Sequence, residues 1–273
     1  MPFTYKTVHV VGATSGIGAG LADKFISEGS KVIAVGRRQD RLDAFVAKHG
    51  SSKAAAIKFD VTDSNGVDTY VNKAGVYANV YRVVTEHPDL DCVFMNSGIQ
   101  SSTRLSRAAE FNLVKFHDEI NVNFTAIVNL IMKFLPPLQA KDTPTSLIVT
   151  GTHLAIVPAP TMAGYSASKA ALTSFIDCVR EQNRYKPTKI IELYSPVVQT
   201  GLHDWMGEEK GRALGMPLNE FSDTAFHQLL KGDDLIVIGS IATEPRDSYM
   251  DLVDKRRTIF NKLSGAMLSR FEL

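Results

Sequence analysis

Seven short runs of apolar, mostly β-branched residues recur along this chain, and segments long enough for helices separate them. The runs are Thr7–Val11, Lys31–Val35, Ala54–Phe59, Cys92–Met95, Leu147–Thr150, Ile190–Tyr194 and Leu235–Ile238. Apolar runs of this length without strict alternation fit strands covered on both faces. Strands alternating with helices form βαβ units, whose right-handed crossovers put helices on both sides of a parallel sheet. The expected helices are Leu21–Glu28, closed by Gly29; Val67–Glu86; Ala108–Leu135, stopped by Pro136-Pro137; and Tyr165–Lys186, ending before Pro187. The prediction is an α/β protein, with residues 1–273 forming a single doubly wound domain around a seven-stranded parallel sheet. Residues 200–232 break the rhythm, with His203, Trp205, several glycines and a Glu208-Glu209-Lys210 patch. That stretch reads as a lid inserted between the sixth and seventh strands, or else as a surface elaboration.

Composition narrows the setting. The chain has 273 residues, a formal net charge of +1 and 44% hydrophobic residues. A near-neutral balance with scattered Lys and Arg gives no electrostatic case for nucleic acid or an anionic membrane. No apolar run approaches the ~20 residues of a membrane span. No basic stretch leading into an apolar one marks a signal peptide. A soluble, cytoplasmic protein is the expectation. Cys92 and Cys178 lack a CxxC partner and a nearby histidine cluster, so both read as reduced, packed thiols with no metal site.

Gly12-Ala13-Thr14-Ser15-Gly16-Ile17-Gly18 follows the first strand and opens a helix. Glycine serves where the chain turns tightly and backbone must approach a phosphate. The helix N-terminus then offers free N–H groups and a partial positive charge. The spacing is GxxxGxG, and an ordinary strand-to-helix turn is the plainer reading. The second strand ends Val35-Gly36-Arg37-Arg38, where a carboxylate for a ribose 2′-hydroxyl would otherwise stand. Arg37 offers a fork suited to a 2′-phosphate, and Arg38 could flank the adenine or add charge. This favours NADP(H) over NAD; the alternative is a pair of solvated arginines. Asp60, ahead of Val61-Thr62-Asp63, could accept from the adenine amino group or serve as a turn residue.

Tyr165 and Lys169 stand four apart and share a helical face. A free phenol titrates near ~10, and a neighbouring ammonium stabilises phenolate and lowers that value. A phenol so tuned can protonate an alkoxide as hydride arrives.

Together these residues resemble the short-chain dehydrogenase/reductase family in its Tyr-x-x-x-Lys form, over nearly the whole chain. The resemblance rests on Val11–Gly18, Asp60-Val61, Asn96-Ser97-Gly98, Asn123 within Asn121–Phe124, and Tyr165–Lys169. It implies a Rossmann-type fold and a dinucleotide held by Gly12, Thr14, Ser15, Gly16, Ile17, Gly18, Arg37, Arg38, Asp60, Val61, Asn96, Ser97, Gly98, Tyr165 and Lys169. It places Thr152 where the family has its catalytic serine, and makes Asn123 the holder of a relay water. After the sixth strand the family commonly has Pro-Gly; here Pro196 precedes Val197. Pro196, Val198 and Thr200 are expected around the nicotinamide carboxamide. His153, beside Thr152, matches no catalytic position of the family.

The implied activity is NADPH-dependent reduction of a small ketone or aldehyde, with Asn123, Thr152, Tyr165 and Lys169 catalytic. Leu154, Ile156, Met162, His203, Trp205 and Met206 are expected to select the substrate. The alternatives are an imine or enone reductase, or a cofactor-bound scaffold that binds a ligand, senses redox state or assists a cyclisation. Family members commonly pair helices between subunits, so a homodimer or homotetramer is expected. The segment Arg246–Leu273 is amphipathic and would cover the core or a neighbouring subunit.

Overall fold

In a computed structural model, residues 5–62, 83, 85–241 and 244–271 are described. Seven parallel strands form one sheet: β1 (Thr7–Val11), β2 (Lys31–Gly36), β3 (Ala54–Lys58), β4 (Leu90–Met95), β5 (Thr145–Thr152), β6 (Thr188–Ser195) and β7 (Leu235–Val237). Their spatial order is β3-β2-β1-β4-β5-β6-β7. All seven expected runs are strands, displaced by a few residues at the ends. The order reverses between β1 and β4, which pair from Thr7↔Leu90 to Val11↔Met95. Open sheets of this kind bind ligands beyond the carboxyl ends of the strands at that reversal.

Alternate strand residues feed two cores. Val8, Val10, Val32 and Ala34 pack with α1 (Gly16–Ser27), with Leu42 of α2 (Gln39–His49) and with a crossover helix described below. Val11, Ile33, Val35, Val93 and Met95 face the other way, onto Leu130, Phe134, Leu172 and Ile176. The period of two in a strand sorts neighbouring side chains to opposite faces. Each fully buried aliphatic side chain contributes about 1.5–3 kcal/mol, so both layers are bound firmly to the sheet.

Several helix boundaries differ from expectation. The first helix begins at Gly16, five residues early, because the glycine turn is its first turn. Most of the helix expected over Val67–Glu86 lies outside the described residues. The helix expected over Ala108–Leu135 is instead α3 (Leu113–Ile120), a π turn over Asn121–Thr125, and α4 (Ala126–Gln139). Asn112 caps α3 by accepting from the Lys115 N–H at 3.0 Å, which sets its start. Pro136 and Pro137 do not stop α4. Pro137 and Leu138 are buried, and the Ala140 N–H closes on the Pro136 carbonyl at 3.0 Å. α5 spans Ala163–Gln182, ending four residues short of Lys186, where Asn183 donates to the Val179 carbonyl at 2.7 Å. Cys92 is buried as expected, but Cys178 is exposed on the outer face of α5.

The expected lid also divides. Residues Gly201–Met206 form a 3-10 turn, and α6 covers Glu208–Arg212. The remainder is α7 (Leu218–Lys231), whose Phe221, Ala225, Phe226 and Leu229 are core. It is the crossover helix between β6 and β7, lying against α1, so the elaboration stops before Leu218. Last comes α8 (Arg246–Phe271). Tyr249 and Val253 bury against Tyr194, and Arg256 meets Asp177 at 2.7 Å, while Leu263 and Met267 stay exposed. No described helix is long and apolar enough to cross a membrane.

Candidate active site

The carboxyl ends of β1, β2, β4, β5 and β6 open on one cleft of about 460 Å³. At one end lies the glycine turn, which is built by keeping side chains out. Gly12 has φ +86° and Gly16 φ +57°. A Cβ on Gly18 would sit 2.2 Å from the Gly12 carbonyl oxygen and 2.6 Å from Asn96 Nδ2. On Gly12 it would sit 2.8 Å from the Ser97 nitrogen. The loops after β1 and β4 therefore touch through bare backbone. Asn96 adds two ties: it accepts from Thr150 Oγ1 at 2.8 Å and donates to the Gly12 carbonyl at 3.5 Å. Ser15 precedes α1 without a side-chain cap bond, and the first turn carries no acid. Gly16 and Ile17 line the cleft there. A helix start without a side-chain cap, opening on the cleft, fits an anion such as a pyrophosphate.

The basic pair at the end of β2 splits. Arg38 lies across the turn, donating from Nη2 to Thr14 Oγ1 at 2.8 Å and Ser15 Oγ at 2.6 Å. Arg37 lines the cleft with a largely exposed side chain, 3.6 Å from Asp60 Oδ2. Burial works to raise the Asp60 carboxyl, but Thr62 and Arg37 outweigh it and hold the group below its ordinary value. The Thr62 N–H and hydroxyl donate to Asp60 Oδ1 at 3.0 and 2.8 Å, so Asp60 is a turn residue whose other oxygen faces Arg37. Val61 is also in the wall.

At the other end stand Tyr165 and Lys169, both buried on α5. Thr152, also buried, stands close enough to the Tyr165 phenol to work against its rise, and its own hydroxyl accepts from the Leu154 N–H at 3.3 Å. The expected lowering of that phenol by Lys169 is absent. Burial pushes Tyr165 up to about 12, opposed by Thr152 and reinforced by the charge of Glu119. Lys169 is itself lowered to about 8 by burial, partly offset by Glu192. Its Nζ donates to the Thr150 carbonyl at 3.0 Å. A desolvated ammonium already spent on a carbonyl offers the phenolate little compensation.

Asn123 sits in the π turn and is fully buried. Its amide is used up: Oδ1 accepts from the Ile99 N–H at 2.8 Å, and Nδ2 donates to the Ile99 carbonyl at 2.9 Å and to Ser168 Oγ at 3.0 Å. Ser168, not anticipated from the sequence, passes the bond on to the Tyr165 carbonyl at 2.7 Å. Glu119 was missed as well. It stands four residues before Asn123, the spacing that shares a helical face, and accepts from the Ser101 N–H.

Of the six side chains expected to select substrate, Trp205 lines the cleft. His203 is buried behind it, with Nδ1 3.1 Å from Gln100 Oε1, and the Trp205 indole donates to the same oxygen at 3.2 Å. Leu154, Met162 and Met206 are half-buried outside the cleft wall. Ile156 packs toward Tyr194 and Tyr249 beneath α8. His153 is there too, its ring 4.7 Å from that of Tyr249 and its pKa lowered to about 4 by burial; it does not line the cleft. Thr200 lines the cleft over Gly16 and caps the turn that follows, accepting from the Leu202 N–H at 3.3 Å. Pro196 packs on Gly239, and Val198 bridges to Met216. Neither lines the cleft.

Residues 6–211 match the family model described as short chain dehydrogenase. The chain is 31% identical over 211 residues to the uncharacterized oxidoreductase DltE of Bacillus subtilis (strain 168), covering 77% of this chain and 79% of that one. It is 27% identical over 197 residues to serine 3-dehydrogenase of Agrobacterium fabrum, covering 71% and 72%. Two solved structures share the fold at lower identity. One is the closed form of serine dehydrogenase complexed with NADP+, at TM-score 0.74, 19% identity and coverage of 88% and 98%. The other is a short chain dehydrogenase/reductase from Burkholderia phymatum in complex with NAD, at TM-score 0.75, 17% identity and coverage of 87% and 90%.

Proposed function

The chain belongs to the short-chain dehydrogenase/reductase family of oxidoreductases, and from that premise we propose that it reduces a ketone or aldehyde with NADPH. One observation carries the reading: Tyr165 and Lys169, with Thr152 close to the phenol, stand at one end of a cleft whose other end is the glycine turn and Arg37. The uncapped start of α1 holds the pyrophosphate. Arg37, with Arg38 across the turn, holds the 2′-phosphate; no carboxylate stands at the end of β2 to favour the bare hydroxyl. Asp60 and Val61 flank the adenine, and Lys169 binds the ribose hydroxyls. Thr200, which lines the cleft, holds the carboxamide, while Pro196 and Val198, expected there too, shape the turn behind it. When bound, the dinucleotide supplies the hydride.

The protein supplies orientation and a proton. Thr152 and Tyr165 donate to the substrate oxygen, and Tyr165 gives up its proton as negative charge develops there. A phenol near 12 stays protonated until that charge appears. Asn123 fixes Ile99 and Ser168 around this group and, in this reading, holds the relay water. The protein acts as a homodimer or homotetramer through the outward faces of α4 and α5, where Met132 and Cys178 are exposed. Monomers in light scattering at micromolar concentration would remove that part.

NADPH oxidation followed at 340 nm over a carbonyl panel tests the main reading, with NADH alongside. Tyr165→Phe is expected to lower kcat by roughly 10²–10⁴-fold while NADPH affinity is kept. Undiminished turnover in that variant would overturn the assignment.

A further inference from the structure

Gln100 is bound in an unusual way for a residue in the wall of a reactive cleft. Its Oε1 takes two bonds, from Trp205 Nε1 at 3.2 Å and from His203 Nδ1 at 3.1 Å. The indole N–H donates only, so the atom facing it must be the amide oxygen and the amide has one orientation. Burial lowers the His203 pKa, which keeps the ring neutral; Nδ1 then carries the proton it shares with Gln100. The oxygen of Gln100 is thus saturated from the side of the Gly201–Met206 turn. Its Nε2 donates to no described residue, while Gln100 itself lines the cleft.

The surroundings narrow what such a donor can serve. Ile99, Val122, Leu202 and Trp205 line the same part of the cleft. The cations of the wall are Arg37, Arg38 and Lys169, all assigned above to the dinucleotide. A carboxylate brought to Gln100 would lose hydration without gaining a countercharge, whereas a neutral carbonyl oxygen needs only the N–H.

We propose that Gln100, held by Trp205 and His203, is a specificity-determining residue that donates to a second, uncharged oxygen of the substrate. The substrate class is then a ketone or aldehyde bearing a neighbouring ester, amide or keto group. This rests on the reductase reading for the identity of the reacting group, but binding tests it separately.

Trp205 is the chain's one tryptophan and touches Gln100, so its emission reports the seat without turnover. Protein loaded with NADP+ is titrated with ethyl acetoacetate, with 2-heptanone, which has the same chain length and lacks the second carbonyl, and with acetoacetate anion. The ester is expected to bind roughly 10-fold more tightly than 2-heptanone, the worth of one well-made neutral hydrogen bond. Gln100→Glu keeps an oxygen for Trp205 and His203 but has no N–H. It is expected to bring the two affinities within about threefold, since that bond is gone. Equal affinities in the parent protein, an unchanged ratio in Gln100→Glu, or tightest binding of the anion would each overturn the proposal. Selective binding of the ester without NADPH oxidation would leave the seat standing and sink the reductase reading. Equal oxidation of NADPH by ester and ketone, with equal binding, would do the reverse.

Discussion

The two ends of the cleft are held by different physics. At the glycine turn, backbone segments meet where no side chain fits on the glycines, and the closest added Cβ would stand 2.2 Å from a carbonyl oxygen. At the Gln100 end, residues 103 and 105 positions apart in sequence are joined by side-chain hydrogen bonds at 3.1 and 3.2 Å, partly in contact with solvent. Steric contact of backbone tolerates no substitution, whereas a polar contact can be exchanged for another. One end leaves no room for a side chain, and the other is a polar seat that a substitution can retune.

The sharpest way to break this contrast is Gly18→Ala. Overpacking against Gly12 and Asn96 should destabilise the fold by about 3 kcal/mol and abolish cofactor retention. A normal melting curve with intact NADPH binding would show that the turn yields. Arg37→Ala comes next. Loss of one charge-assisted contact should weaken NADPH roughly 10- to 100-fold and leave NADH nearly unchanged. Equal losses for both, measured by titration, would detach Arg37 from the 2′-phosphate.

A smaller effect concerns acid. His9 on β1 and His153 beneath α8 are held neutral by burial, with pKa values lowered to about 3 and about 4. The unfolded chain protonates both near ~6.5, so their contribution to stability is full above that pH and is lost as pH falls toward 4. The melting temperature should decline over that window, and His153→Phe should flatten part of the decline. A variant with the parent's slope would place the sensitivity elsewhere. Least of all should come from Arg212→Ala on the exposed turn beyond Trp205. Its paired bonds to Asp204, at 3.0 and 2.9 Å, are solvent-screened, and the melting temperature should not move.

The sequence is legible where the determinant is local. A β-branched run makes a strand whatever its neighbours, and a glycine turn before a helix is recognisable from seven residues. The crossover helix α7 was hidden by polar Glu220, Ser222 and Asp223 among its core residues, though Phe221, Ala225 and Leu229 carry the helical spacing. Pro136 and Pro137 misled because they stand in the last turns of the helix, where the Pro137 ring and Leu138 are buried in the core although Pro136 is exposed. The sign of the Tyr165 shift needed the burial of both members of the Tyr165–Lys169 pair and the carbonyl that occupies Lys169. Gln100 could not be read at all, because its partners lie 103 and 105 residues away.

The pairing of β1 with β4 has a consequence in time. Lys6 and Thr7 donate backbone N–H groups to Asp91, closing a loop of 84 or 85 residues. Such distant partners meet slowly during folding, since chain entropy must be surrendered before the contact returns anything. The wall that joins Gly12 to Ser97 exists only after that meeting. A chain caught with β1, β2 and β3 paired but β4 still unbound has a sheet and no site. The arrival of dinucleotide affinity in a refolding experiment therefore marks the end of the process, and a cofactor added early has nothing to hold.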